Sequence, residues 1–172
     1  LVDPVFTLGT QHGGLDVMLA AYAFSFQIYG DFAGYSFIAL GISLMMGIQL
    51  TENFKRPYLA PNITEFWRRW HISLSDWLRD YVYVPLGGRE HAARNSIIVF
   101  VVCGLWHGAN WTFLFWGLFN GLMIWAYYAL KPYWDRMPVI LQVLALYHIV
   151  CIGWVIFRAE SMSQALNLLW SI

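Results

Sequence analysis

The sequence predicts an all-α, polytopic membrane protein, and three observations carry that prediction. Of 172 residues, 59% are hydrophobic and 12% are charged, against about 25% charged in an ordinary soluble domain; mean hydropathy is +0.53. From Asn95 to Leu130 there is no Asp, Glu, Lys or Arg. Ten Trp and ten Tyr suit the membrane–water boundary, where an apolar ring with one polar tip is favoured. A formal net charge of zero removes the electrostatic case for nucleic-acid binding. Cys103 and Cys151 both lie in apolar runs and read as small core residues rather than as a disulfide. The chain begins at Leu1 without a basic segment, which is not a signal peptide. It reads as an internal piece of a longer membrane protein, with spans missing at both ends.

A helix needs ~20 apolar residues to cross a bilayer. Residues 15–29 supply the first such run, with Asp16 near its start. Gly30-Asp31 is expected to interrupt it, and 32–50 supplies a second, Gly-rich run, so 15–50 reads as two spans or one long broken span. Residues 95–130 are too many for one straight span at 1.5 Å per residue. Gly108-Ala-Asn110 is expected to divide them into a shorter inserted helix and a fuller span over 111–130. Pro132 and Pro138 punctuate the next loop, and 139–157 is the last span, closed by Arg158.

Between these hydrophobic stretches, residues 51–94 hold seven of the ten basic residues: Lys55, Arg56, Arg68, Arg69, Arg79, Arg89 and Arg94. The positive-inside rule puts this region on the cytoplasmic side. Ile63, Phe66, Trp67, Trp70, Leu74, Trp77, Leu78 and Tyr81 recur at helical spacing, with Arg69, Ser73, Asp76 and Asp80 opposite. The pattern predicts one amphipathic, interfacial or re-entrant helix, started by a capping box of Asn62 and Glu65 and ended by the turn residues Pro85-Leu-Gly-Gly88.

His107, in the run GLWHGANW at 104–111, carries the functional expectation. An ionisable group at bilayer depth is costly and by default faces a bundle interior or a wet cavity, and imidazole moves protons near neutral pH. The bland alternative is a histidine bonded to a carbonyl at a helix break. Gly108 and Asn110 beside it favour a cavity, because irregular backbone at that depth is buried in protein or lines water. His71, among aromatics at 67–73, reads equally as an interfacial or a functional residue. His148 reads as packing, and Asp16 and Asp31 as helix-end groups. Arg68, Arg69 and Arg79 contact solvent and headgroups, or hold the phosphates of a cytoplasmic cofactor such as coenzyme A. No H-E-x-x-H or Cys/His cluster at ligand spacing is present, so no metal is expected; nor is there a phosphate loop or a G-x-S-x-G elbow.

The runs YGDFAGY at 29–35, NFKRPY at 53–58, ITEFWRRWHISLS at 63–75, WLRD at 77–80, YVPLGG at 83–88, Arg94-Asn95 and GLWHGANW at 104–111 together resemble the membrane-bound O-acyltransferase (MBOAT) family. The resemblance is strongest to its bacterial alginate O-acetyltransferase branch. It implies that residues 1–172 are a single fragment from the C-terminal part of a polytopic helical enzyme pierced by a tunnel. The family's signature histidine maps onto His107 and the second functional histidine of this branch onto His71; Trp106, Asn110, Arg68 and Arg69 are then candidate substrate contacts. The implied reaction carries acetyl from a cytoplasmic donor, acetyl-CoA or a similar acyl carrier with no tightly bound cofactor, to hydroxyls of a secreted polysaccharide. A periplasmic acetyltransferase partner protein assists, and the location is the bacterial inner membrane, multi-pass. The chemistry agrees: acyl transfer needs a base for the alcohol proton and donors for the oxyanion. A His107 kept neutral by desolvation fits the first and Asn110 the second. Alternatives are D-alanine transfer to teichoic acid, peptidoglycan O-acetylation, or, in a different class, a proton-coupled transporter.

Overall fold

The computed structural model describes residues 2–7 and 12–172. Among the described residues it is helical, with one isolated antiparallel bridge between Phe54 and Trp70. The α-helices are α1 (Asp3–Phe6), α2 (Gly14–Met45), α3 (Ile63–Trp67), α4 (Ile72–Leu78), α5 (Ala92–His107), α6 (Trp111–Trp134), α7 (Val139–Arg158) and α8 (Met162–Ser171). A π-helical turn over Arg79–Tyr83 and a 3-10 turn over Gly88–His91 join α4 to α5. Three helices, α2, α6 and α7, are long and apolar enough to cross a membrane.

Helix α2 runs unbroken for 32 residues, about 48 Å at 1.5 Å per residue. The interruption expected at Gly30-Asp31 is therefore absent. A glycine inside a helix costs only about 1 kcal/mol against alanine, and packing on both sides holds the helix through it. Ala33 is buried, and the Phe32 ring lies edge-on to Phe54 at 4.8 Å. The first half of α2 buries Val17, Ala20, Ala21 and Phe24, whereas Tyr35, Phe37, Ile38 and Ile42 in the second half are exposed.

The amphipathic region also differs from expectation: the single helix predicted from Ile63 is cut at His71. Asn62 does cap α3, its Oδ1 accepting from the Glu65 N–H at 2.9 Å. Glu65, however, does not reach back to complete a box; it pairs with Arg68 at 2.7 Å and Arg69 at 3.5 Å. The cut comes from residues 53–55, which claim backbone groups that a continuous helix would use. The Lys55 N–H donates to Arg69 O at 2.9 Å and the Ile72 N–H to Asn53 O at 3.1 Å. Asn53 Oδ1 then accepts from the Ser73 N–H and Oγ, at 3.1 and 2.7 Å, so a residue 20 positions upstream satisfies the start of α4.

The tightest packing is between α5 and α6, an antiparallel hairpin folded at Gly108. A Cβ on Gly104 would lie 2.2 Å from Phe113 O, and one on Gly117 would lie 2.2 Å from Phe100 O. The two backbones are in direct contact, the small-residue packing typical of membrane helices. At the turn, Asn110 Oδ1 accepts from the Thr112 N–H at 3.2 Å and its Nδ2 donates to Glu160 O at 3.1 Å. At the far end of α6, Gln142 Nε2 donates to Trp134 O and Met137 O at 3.1 and 3.0 Å, and Trp134 Nε1 donates to Pro61 O at 2.9 Å. That last bond ties α6 to the segment leading into α3.

Candidate active site

Helices α2 to α7 line a partly open cavity of about 390 Å³. On α5 its wall is the stripe Ser96, Val99, Phe100, Cys103 and His107, steps of three and four residues that lie on one helical face. Opposite stand Trp67, Trp116, Trp154 and Phe157, while Arg68, Asp76, Arg79 and Arg89 supply charge.

The cavity brings the two histidines together. His107 is the last residue of α5 and is boxed by aromatic rings: Trp106 at 4.9 Å, Trp116 at 5.3 Å and Phe157 at 5.2 Å between centroids. His71 sits edge-on to Phe32 at 4.6 Å and 6.0 Å from Trp106. Trp106 therefore touches both imidazoles. Among the described residues neither ring is hydrogen-bonded to a protein atom, which leaves each ring nitrogen available to a bound group.

His71 is held there by an unusual backbone. Its φ of 46° and ψ of 56° are left-handed, a conformation costing a non-glycine residue roughly 1–2 kcal/mol. The pairing of residues 53–55 with 69–72 described above imposes it, and strain of this kind concentrates at functional sites. Burial, and then the neighbouring His107, push the His71 pKa down to about 4, so its imidazole is neutral across the physiological range.

The other candidates fall in different places. Arg68 lines the cavity, paired with Glu65. Arg69 does not line it; its Nη1 donates to Leu59 O at 3.3 Å while Nη2 faces Glu65. Arg79 lines it and is neutralised by Asp76 and Asp80 at 2.6 and 2.7 Å. Trp106 is 61% exposed and stands at the outer side of the two imidazoles. Asn110 is off the cavity wall, with its amide engaged at the α6 cap and at Glu160. Among the described residues no three His, Cys, Asp or Glu side chains gather as a metal site would require.

The sequence expectation omits Arg89, Tyr83 and Tyr128, which also line the cavity. Arg89 stands just ahead of Arg94-Asn95. Asn95, fully buried, donates from Nδ2 to Leu86 O and Gly88 O at 3.1 and 2.9 Å. Its Oδ1 accepts from Arg94 Nε and Nη2 at 3.1 and 3.0 Å. This clamp fixes the glycine turn against the start of α5 and so places Arg89.

Comparison with known proteins adds to this geometry. A family model described as membrane-bound O-acyltransferase matches residues 10–159. The chain is 45% identical over 172 residues to a probable alginate O-acetylase, AlgI, of Azotobacter vinelandii, covering 96% of this chain and 34% of that protein. It is 41% identical to a peptidoglycan O-acetyltransferase of Helicobacter pylori, covering 95% and 33%. It is 33% identical to a teichoic acid D-alanyltransferase of Bacillus subtilis, covering 83% and 41%. The chain thus spans about a third of the length of the two O-acetyl-transferring relatives.

Proposed function

The chain belongs to the membrane-bound O-acyltransferase family, and from that premise we propose that it forms the part of an enzyme that passes acetyl from a thioester donor, acetyl-CoA or a similar carrier, to hydroxyls of a secreted, alginate-like polysaccharide. The observation that carries the reading is the meeting of His71 and His107, from separate elements, in one aromatic-walled cavity. The 45% identity to the alginate type favours it over the peptidoglycan and teichoic acid relatives. The enzyme acts as a multi-pass protein of the bacterial inner membrane, with residues 51–94 on the cytoplasmic side, and is assisted by a periplasmic acetyltransferase partner protein.

In the reaction the acyl carbonyl lies in the cavity beside the imidazoles. A hydroxyl oxygen attacks the carbonyl carbon while His107 takes its proton, as a general base must. The tetrahedral adduct collapses, the carbon–sulfur bond breaks, and the departing thiolate receives the proton from His107. His71, neutral and held by Phe32 and Asn53, orients the acyl group. Arg68 contacts the donor near the cavity wall. Trp106 keeps the two rings at their spacing, and Asn110 fixes the loop after His107 through the α6 cap and Glu160. Aromatic walls exclude water that would hydrolyse the thioester.

The test is reconstitution of the intact protein in vesicles with labelled acetyl-CoA and, in turn, alginate and peptidoglycan fragments. Label is expected as a base-labile ester on alginate. Label remaining on coenzyme A, or crossing the membrane unesterified as a transporter would carry it, overturns the proposal.

A further inference from the structure

Among the described residues, two that are not glycine have a positive φ, Arg56 and His71, and both belong to one pairing. His71 lies within the stretch 69–72 that pairs with 53–55, and Arg56, at φ 49° and ψ 57°, is where the other stretch turns away. Pro57 follows, and a residue before proline is pushed toward extended backbone, so Arg56 is held against its own preference. Its side chain does not explain this: Arg56 is exposed, and its guanidinium has no ion pair or hydrogen bond among the described residues.

Strain of this kind persists only where the surroundings over-determine it, and the residues on both sides of Arg56 do so. Pro57 is fully buried. The Tyr58 hydroxyl crosses to α2 and donates to Ser25 O at 2.6 Å. The Tyr58 ring lies 5.9 Å from Trp70, the residue before His71, and 5.4 Å from Tyr147 of α7. On the other side, Phe54 packs edge-on against Trp70 at 5.0 Å and against Phe32 at 4.8 Å. Phe32 is the ring that meets His71 at 4.6 Å.

We propose that residues 53–58 form a clip that positions His71 in the cavity, with Arg56 as its left-handed corner and the Tyr58 hydroxyl as its anchor on α2. Neither Arg56 nor Tyr58 lines the cavity, so both act through His71 and not on the reacting atoms. The inference rests on the acyl-transfer reading for its effect on rate, but not for its effect on the His71 ring.

The intact membrane-embedded protein is tested by two readouts: the titration of His71, followed by NMR of histidine isotope-labelled at Cε1, and the kinetics of acetyl transfer. Wild-type His71, beside His107, titrates near 4. Arg56→Val introduces a β-branched residue that resists a left-handed backbone. It should let the ring out toward water and raise its titration toward the ordinary 6.5. It should also lower kcat about three- to tenfold, the rate equivalent of one hydrogen bond, with KM nearly unchanged. Arg56→Gly keeps the corner without its steric cost and should leave both readouts at wild-type values. Tyr58→Phe should move both in the direction of Arg56→Val, by a smaller factor. Ser25→Ala, which keeps the carbonyl that Tyr58 uses, should move neither. His71 still titrating near 4 in either Arg56→Val or Tyr58→Phe overturns the clip. Arg56→Gly behaving like Arg56→Val assigns the effect to the guanidinium and also overturns it, and Ser25→Ala matching Tyr58→Phe overturns the anchor. A raised titration with transfer unchanged upholds the clip while refuting the part given to His71 in acyl transfer, so the two fail separately.

Discussion

His71 reaches the cavity only because its backbone is held left-handed by residues 53–55, and its ring is then surrounded by Phe32, Trp106 and His107. The unfolded chain protonates this imidazole near its ordinary 6.5, and the folded chain only near 4. Between those values the unfolded state binds the extra proton, so stability rises with pH across that window and is lost on acidification. Thermal unfolding should therefore shift downward from pH 7 to pH 5, and His71→Phe should make that pH dependence shallower; an unchanged slope in the variant would place His71 in water. Both histidines were legible in the sequence, His107 because an ionisable group stood in a charge-free run and His71 through the motif around it. Arg89 was not: seven basic residues in one region look alike until the carboxylates that neutralise Arg68 and Arg79 are located in space.

At the scale of elements, the α5–α6 hairpin sets where His107 points. Gly104 and Gly117 place backbone against backbone, so a side chain there meets carbonyl oxygen rather than a movable group. Gly117→Val should destabilise the protein by at least about 1–3 kcal/mol, read as a lower unfolding temperature in detergent, with acetyl transfer falling alongside. On α2, a Cβ at Gly34 meets nothing within 4 Å, and Gly34→Ala should be neutral or stabilising by up to about 1 kcal/mol. Equal effects at the two positions would refute the packing argument. The residue types at 108–110 announce a helix break, since Gly108 brings its backbone against the Phe113 ring and Asn110 is a helix cap. The break at His71 has no such local sign, because Asn53 imposes it from 18 residues away. Conversely Gly30-Asp31 looks like a breaker, yet packing of Phe32 and Ala33 carries α2 through it.

For the whole molecule, the membrane-length helices α2, α6 and α7 pack in the series α2 on α7 and α7 on α6, and a shorter α5 of 16 residues lies along α6. At about 24 Å, α5 is shorter than the ~30 Å hydrocarbon depth, and its last residue, His107, lines the cavity. The all-α membrane class was legible from composition alone. The cavity was not, since its walls come from six helices and no single stretch contains more than one side of it. The paired imidazoles share that cavity with the guanidinium groups of Arg68, Arg79 and Arg89 and the carboxylate of Asp76. The most direct test uses sealed vesicles with labelled acetyl-CoA only on the side of residues 51–94 and a polysaccharide acceptor only on the opposite side. The wild-type protein should place label on the acceptor, and His107→Ala, still folded and inserted, should lower that rate by about 10²–10⁴. Full transfer by His107→Ala would contradict the account.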